Sequence, residues 1–448
     1  MGTNITIVGV GYVGLVSGAC FAEFGHNVIC VDIDESKIER LKKGIMPIYE
    51  PGLDHIVEQH SRSGRLTFTT DLAQSVKGRD AIFIAVGTPT RAEDGHADLS
   101  YVYAAAKNIA EALDQFTVVV TKSTVPVGAN REIARILGEN APAGRQWAVA
   151  SNPEFLREGA AISDFMEPDR VVIGCNNPRG IAILERIYAP LAARNTPIVT
   201  TDIETAELIK YAANAFLAVK VSFINEVSDL CEQVGGRVEE VAKGIGLDHR
   251  IGGSFLRTGP GWGGSCFPKD TRAMLMTAQD AGVPLRIVSA AVRANEERKR
   301  DMINRVIEAC DGSVKGLVIG VLGLTFKGQT DDMRESPSLD ILPGLIAAGA
   351  KVRAFDPSNP QEASSLLPGV ELVGTPVDAA IGADALLVLT EWMVFKSYDL
   401  GELARVMRRR VMIDLRNLFN ETAAREGGFT IYHCLGQHTA IPRLAKVS

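Results

Sequence analysis

The chain has no apolar run approaching the ~20 residues that span a bilayer, no C-x-x-C pair, and no basic stripe or run. The first absence argues against a membrane partner. The second, together with an odd total of seven scattered cysteines, argues against a disulfide framework and a structural zinc site. No metal is therefore expected, and each thiol is judged by its local setting. The third absence, with a formal net charge of -7, argues against nucleic acid and anionic lipid as partners. An anionic substrate then needs a few locally placed cations. The amino terminus enters an apolar run without a charged segment ahead of it, so a secretory signal is not expected and a reducing, cytoplasmic setting is.

What remains is an ordinary globular composition, 46% hydrophobic and 23% charged over 448 residues. That length exceeds what one hydrophobic core supports, so two or three domains are expected. Ile5 to Gly9, Asn27 to Val31, Ala81 to Val86, Phe116 to Val120 and Trp147 to Ala150 read as continuous apolar strands, with a helix over Gly14 to Phe24. Apolar strands alternating with helices imply a parallel sheet covered on both faces, a doubly wound α/β domain. Near residue 201 the pattern changes. Thr201-Asp202-Ile203-Glu204 has the form of a capping box, and helical periodicity runs to about Val234, where Gly235-Gly236 stops it. Leu208, Ala212, Phe216, Val219, Phe223, Val227, Leu230 and Val234 make its apolar stripe. A helix of roughly 50 Å bridges domains or packs on a second subunit, so a homodimer or higher homo-oligomer is expected. Leu317 to Leu322, a helix over Ser336 to Ala348, Lys351 to Phe355 and Asp384 to Thr390 repeat the first pattern without its glycines. The fold class is α/β, two Rossmann-like doubly wound domains (1–200 and 301–448) joined by a long central helix and helical segment (201–300).

Gly9-Val10-Gly11-Tyr12-Val13-Gly14 is G-x-G-x-x-G directly after a strand and opening a helix. The first glycine permits a tight turn, the second lets backbone approach a pyrophosphate, and the third permits close helix–strand packing. Asp32 follows the second strand, where a carboxylate accepts from ribose hydroxyls and repels a 2′-phosphate, favouring NAD over NADP. In Gly259-Pro260-Gly261-Trp262-Gly263-Gly264-Ser265-Cys266-Phe267-Pro268-Lys269-Asp270, four glycines let backbone lie against a ligand, and Pro268 suits the first turn of a helix. Cys266 then precedes a helix N-terminus with Lys269 nearby, a setting that stabilises the nucleophilic thiolate. Lys210 and Asn214 share one face of the long helix. Ser151 to Glu158 places two carboxylates at the carboxyl edge of the first sheet, where ligands bind in such folds.

Taken together these residues resemble the UDP-glucose 6-dehydrogenase family, within the wider UDP-glucose/GDP-mannose dehydrogenase group. The likeness runs from the Gly9 fingerprint to Asp414-Leu415-Arg416. It is carried most specifically by Gly263 to Asp270, and also by Lys122-Ser123-Thr124-Val125-Pro126-Val127-Gly128 and Asn152 to Gly159. The resemblance implies oxidation of a sugar C6 hydroxymethyl to a carboxylate, with two NAD and one water consumed. It implies a base at Lys210, aided by a water near Asn214 and Asp270. Cys266 is the nucleophile that forms a thiohemiacetal and then a thioester, while Glu154 and Thr124 serve hydrolysis. Lys210 and Asn214 also donate to the developing oxyanion, a role worth several kcal/mol. For NAD it implies Gly9, Val10, Gly11, Tyr12, Val13, Gly14, Asp32, Lys37, Thr88, Thr124, Glu158, Lys269 and Arg334. For the nucleotide sugar it implies Glu154, Phe155, Leu156, Arg157, Lys210, Asn214, Arg250, Phe255, Leu256, Arg257, Thr258, Gly259, Gly263, Lys327 and Arg416, with Arg250 reaching from a partner subunit. The third segment is then the UDP-sugar-binding domain. Ser265 stands where the N-acetylhexosamine branch has His, which favours UDP-glucose as substrate and leaves GDP-mannose as the nearest alternative.

Overall fold

The computed structural model describes residues 2–91, 94–360 and 362–437. It divides into two compact units, one of residues 1–213 and 272–284, the other of residues 214–271 and 285–448.

The first unit holds an eight-stranded sheet of β1 (Asn4–Val8), β2 (Asn27–Val31), β3 (Leu66–Thr69), β4 (Ala81–Ile84), β5 (Thr117–Thr121), β6 (Trp147–Ser151), β7 (Val171–Cys175) and β8 (Ile198–Thr201). Its order is β3-β2-β1-β4-β5-β6-β7-β8. Successive residues of β4 show why the strands are apolar throughout: Ala81 and Phe83 pack with Leu15 and Phe21 on one face, and Ile82 and Ile84 pack with Val102 and Ile109 on the other. Pairing is parallel except at one place. β7 lies antiparallel to β6, with Ala150 opposite Cys175. β7 lies beyond the strands read from the sequence, and it turns back because the link before it carries only the short helix Ala161–Met166 instead of a crossover.

The second unit holds an all-parallel sheet of β9 (Val318–Leu322), β10 (Lys351–Phe355), β11 (Val370–Leu372), β12 (Ala385–Val388), β13 (Val411–Asp414) and β14 (Ile431–Cys434), in the order β11-β10-β9-β12-β13-β14. Its two apolar layers alternate along β12 as those of the first sheet do along β4.

One helix, Ile203–Val234, is continuous across the division of the chain. Asp202, rather than Thr201, caps it: the Thr205 amide donates to Asp202 Oδ1 at 2.7 Å. The sequence places an apolar stripe on this helix. The structure leaves that stripe outward, with Phe216 65%, Phe223 51% and Val234 70% exposed. The inward face carries Glu207, Lys210, Asn214, Ser222, Asn225 and Ser228 among the buried Ala206, Tyr211, Ala215, Ala218, Ile224 and Cys231. The largest residues of the apolar periodicity therefore lie away from the units' own cores, while Val219 and Val227 are half-buried. No helix among the described residues is long and apolar enough to cross a membrane.

Close approach fixes one glycine in the first turn of the first unit. A Cβ on Gly14 would lie 1.9 Å from the Gly9 carbonyl oxygen, whereas a Cβ on Gly11 would meet nothing within 4 Å. Gly14→Ala should therefore destabilise by roughly 1–3 kcal/mol and lower Tm. Gly11→Ala should leave Tm near wild type, as thermal unfolding of both variants will show.

Candidate active site

The fingerprint has the geometry a dinucleotide needs. Gly9 adopts φ +99°, and the helix Tyr12–Glu23 begins at Gly11 with no side chain capping its amides. Those amides and the open space at Gly11 suit a pyrophosphate. Asp32 is drawn to the same turn: the Val10 amide donates to Asp32 Oδ2 at 2.8 Å, and Lys37 Nζ lies 3.2 Å from that oxygen. Thr88 Oγ1 donates to the Thr124 carbonyl at 3.1 Å, which ties two further candidate cofactor residues together. The Gly159 amide, beside Glu158, donates to Tyr12 Oη at 3.0 Å. Lys269 and Arg334 belong to the other unit, where Lys269 pairs with Asp270 and Arg334 Nε with Asp332 at 2.8 Å.

Beyond the carboxyl end of β6 the first unit holds a buried ion pair. Lys210 Nζ lies 3.3 Å from Glu154 Oε1, and both side chains are buried. Glu154 is oriented from its other oxygen by the Leu156 amide at 2.5 Å. Phe155 lies between two cations, with Arg170 Cζ 3.5 Å and Lys210 Nζ 5.2 Å from its ring centroid. Arg157, by contrast, is turned to Asp164 at 2.6 Å and is largely exposed.

The second unit holds the thiol and its acidic neighbour. The helix Phe267–Asp280 starts directly after Cys266, whose carbonyl accepts from the Asp270 amide at 2.8 Å. Cys266 is half-buried, and Ser265 Oγ is 3.5 Å from its sulfur. Asp270 is fully buried and accepts from Asn214 Nδ2 at 2.6 Å. The other thiols are in different surroundings. Burial pushes Cys20, Cys30 and Cys434 up to about 12 and Cys310 up to about 11, values that keep them neutral and unreactive at pH 7. The glycines before Cys266 are needed for packing: a Cβ on Gly263 would lie 2.0 Å from the Glu335 carbonyl.

The candidate substrate residues of the second unit form a connected wall. Phe255 takes φ +62°, a strained value for a bulky residue. Thr258 Oγ1 and the Gly259 amide both donate to Asn225 Oδ1, at 3.1 and 3.0 Å. Arg257 donates to the Arg416 carbonyl at 3.2 Å, and Leu256, Arg257 and Thr258 line a cavity of about 410 Å³ with Lys243, Leu247 and Asn417. Arg416 is half-buried against Glu391 at 3.2 Å and donates to the carbonyl of Phe326, next to Lys327, at 2.7 Å. Arg250 stands apart on the surface, paired with Asp248.

Three groups carry structure here that the sequence reading gave no role. Glu207 takes the amides of Gly128 and Asn130 at 2.7 and 3.0 Å, so the long helix is bound to the segment that carries Thr124. Glu50 accepts from Tyr12 and from the Gly159 and Ala161 amides, fastening the fingerprint to the Glu158 turn. Lys122 lies buried beside Asn152 and Tyr188. Only Lys122 had a signal, since it opens the Lys122 to Gly128 stretch.

The chain matches the UDP-glucose/GDP-mannose dehydrogenase family along its length: residues 3–192 match its NAD binding domain, 204–297 its central domain and 320–421 its UDP binding domain. It is 54% identical to a UDP-glucose 6-dehydrogenase of Rhizobium meliloti over 95% of this chain and 98% of that protein. A Bacillus subtilis UDP-glucose 6-dehydrogenase is 48% identical over 97% of this chain and 93% of its own length. Among solved structures, a UDP-glucose dehydrogenase from Pyrobaculum islandicum superposes with a TM-score of 0.88 at 39% identity, covering 97% of each chain. On these matches, joined to the fingerprint and the Cys266 turn, the chain belongs to the UDP-glucose/GDP-mannose dehydrogenase family and takes NAD and a nucleotide sugar.

Proposed function

We propose that this chain oxidises UDP-glucose twice at C6, giving UDP-glucuronate, with residues 1–200, 201–300 and 301–448 serving as NAD-binding, central and UDP-sugar-binding segments. The observation that supports this most is Cys266 at the start of a fourteen-residue helix, half-buried, in a chain 54% identical to a UDP-glucose 6-dehydrogenase. NAD, held by Gly9 to Gly14 and Asp32, supplies the hydride acceptor.

The chain's own groups do the rest. Lys210, buried beside Glu154, removes the C6 hydroxyl proton once its ammonium has given up its own. Cys266 adds as thiolate to the C6 aldehyde, forming a C–S bond, and the resulting oxyanion is met by donors from Lys210 and Asn214. Loss of the second hydride leaves a thioester on Cys266. Glu154, with Thr124 placing the water, takes a proton from that water, which adds to the carbonyl and expels the thiolate. Asp270 fixes the Asn214 amide through its 2.6 Å hydrogen bond. Lys327, Arg416, Arg257 and the partner subunit's copy of the Arg250 guanidinium balance the diphosphate. The outward apolar stripe on the Ile203–Val234 helix supports a homodimer.

Counting reduced cofactor tests the reaction: two NADH per UDP-glucose are expected, and one per substrate with free aldehyde would contradict the covalent route. Cys266→Ser should bind UDP-glucose and NAD as wild type does but lose turnover by at least ~10³-fold. Phe223→Glu should shift light-scattering mass from dimer to monomer. A wild-type protein that is already monomeric at micromolar concentration would refute the dimer.

A further inference from the structure

Lys122 is a buried lysine that the chemistry above does not use. The register of β5 on β6 sets Thr121 opposite Ser151, so Lys122 and Asn152 leave the sheet side by side. The Lys122 ammonium donates to Asn152 Oδ1 at 3.0 Å and to Tyr188 Oη at 3.3 Å. Ring faces of Phe165 and Tyr188 close around it, with centroids 5.7 and 5.9 Å away. These partners are all neutral, and among the described residues no carboxylate forms an ion pair with it. An ammonium taken out of water without an anion is costly, and such groups concentrate where a charge has work to perform. Its charged neighbours are Glu154, two residues beyond Asn152, and Lys210 on the long helix. Burial pulls Lys122 down to about 8, Glu154 opposes this, and Lys210 reinforces it. The two lysines therefore disfavour each other's charge.

We propose that Lys122 is a positioning residue: its ammonium fixes Asn152, and with it the Asn152-Pro153-Glu154 turn, and its charge eases proton loss from Lys210. The inference rests on the roles of Lys210 and Glu154 given above. It supplies the neighbouring cation that a lysine base needs. With Lys122 made neutral, Lys210 holds its proton more tightly, so the ascending limb of kcat/KM against pH moves to higher pH.

The test is that limb in Lys122→Gln and Lys122→Arg, with UDP-glucose and NAD. The Gln variant, which keeps a hydrogen bond and loses the charge, should move the limb up by at least about half a pH unit. The Arg variant should restore it toward wild type. A folded Gln variant with lower kcat and an unmoved limb would reduce Lys122 to a packing residue and overturn the proposal. If the Gln variant does not fold, Tyr188→Phe decides: it removes one oxygen from the ammonium and should move the limb up by less, and an unmoved limb overturns the proposal. Wild-type protein that makes no NADH from UDP-glucose defeats the reaction itself, whereas wild-type turnover with unmoved limbs defeats only the role of Lys122.

Discussion

The buried pairing of Lys210 with Glu154 is the constraint around which the rest is arranged. Desolvating two charges costs several kcal/mol per ion before their attraction offsets it. A pair with such an energy cost persists where both groups are needed and their surroundings fix them. Here the Leu156 amide fixes Glu154, and the continuous helix fixes Lys210. The same helix carries Asn214 one turn further on, and Asn214 is held in turn by Asp270.

This arrangement explains an inversion on that helix. Its buried face carries Glu207, Lys210, Asn214, Asn225 and Ser228 beside Tyr211, Ala218 and Ile224, while Leu208, Phe216, Phe223, Leu230 and Val234 lie exposed. Hydrophobic periodicity normally marks the face that a chain buries in its own core. Here polar groups share the buried face, and the exposed apolar stripe is the surface on which the proposed homodimer rests.

Much of the fold was legible because its strands are apolar on both faces and its punctuation is strong. Lys351–Phe355 was readable to the residue, and the Gly9 fingerprint placed the first turn. The antiparallel β7 was not legible, since strand direction depends on where the chain returns and not on its side chains. The Cys266 turn was readable from glycines and Pro268, because local backbone demands leave local signatures. The contacts that set the site were not. Asn214 and Asp270 are 56 positions apart, as are Glu154 and Lys210, and pairing at that separation comes from tertiary placement alone. Lys122 illustrates the difference most plainly. Its sequence neighbours announce a turn after a strand, yet only the register of β5 on β6 and the position of Tyr188 show it buried among neutral partners.

The covalent step is the central claim, and trapping it is the most direct measurement. A Glu154→Gln variant mixed with UDP-glucose and NAD, quenched in acid and examined by peptide mass spectrometry, should carry a UDP-glucuronyl group on the peptide containing Cys266. Two equivalents of NADH released with that peptide unmodified at every time point, or with the adduct on a different residue, would contradict the account.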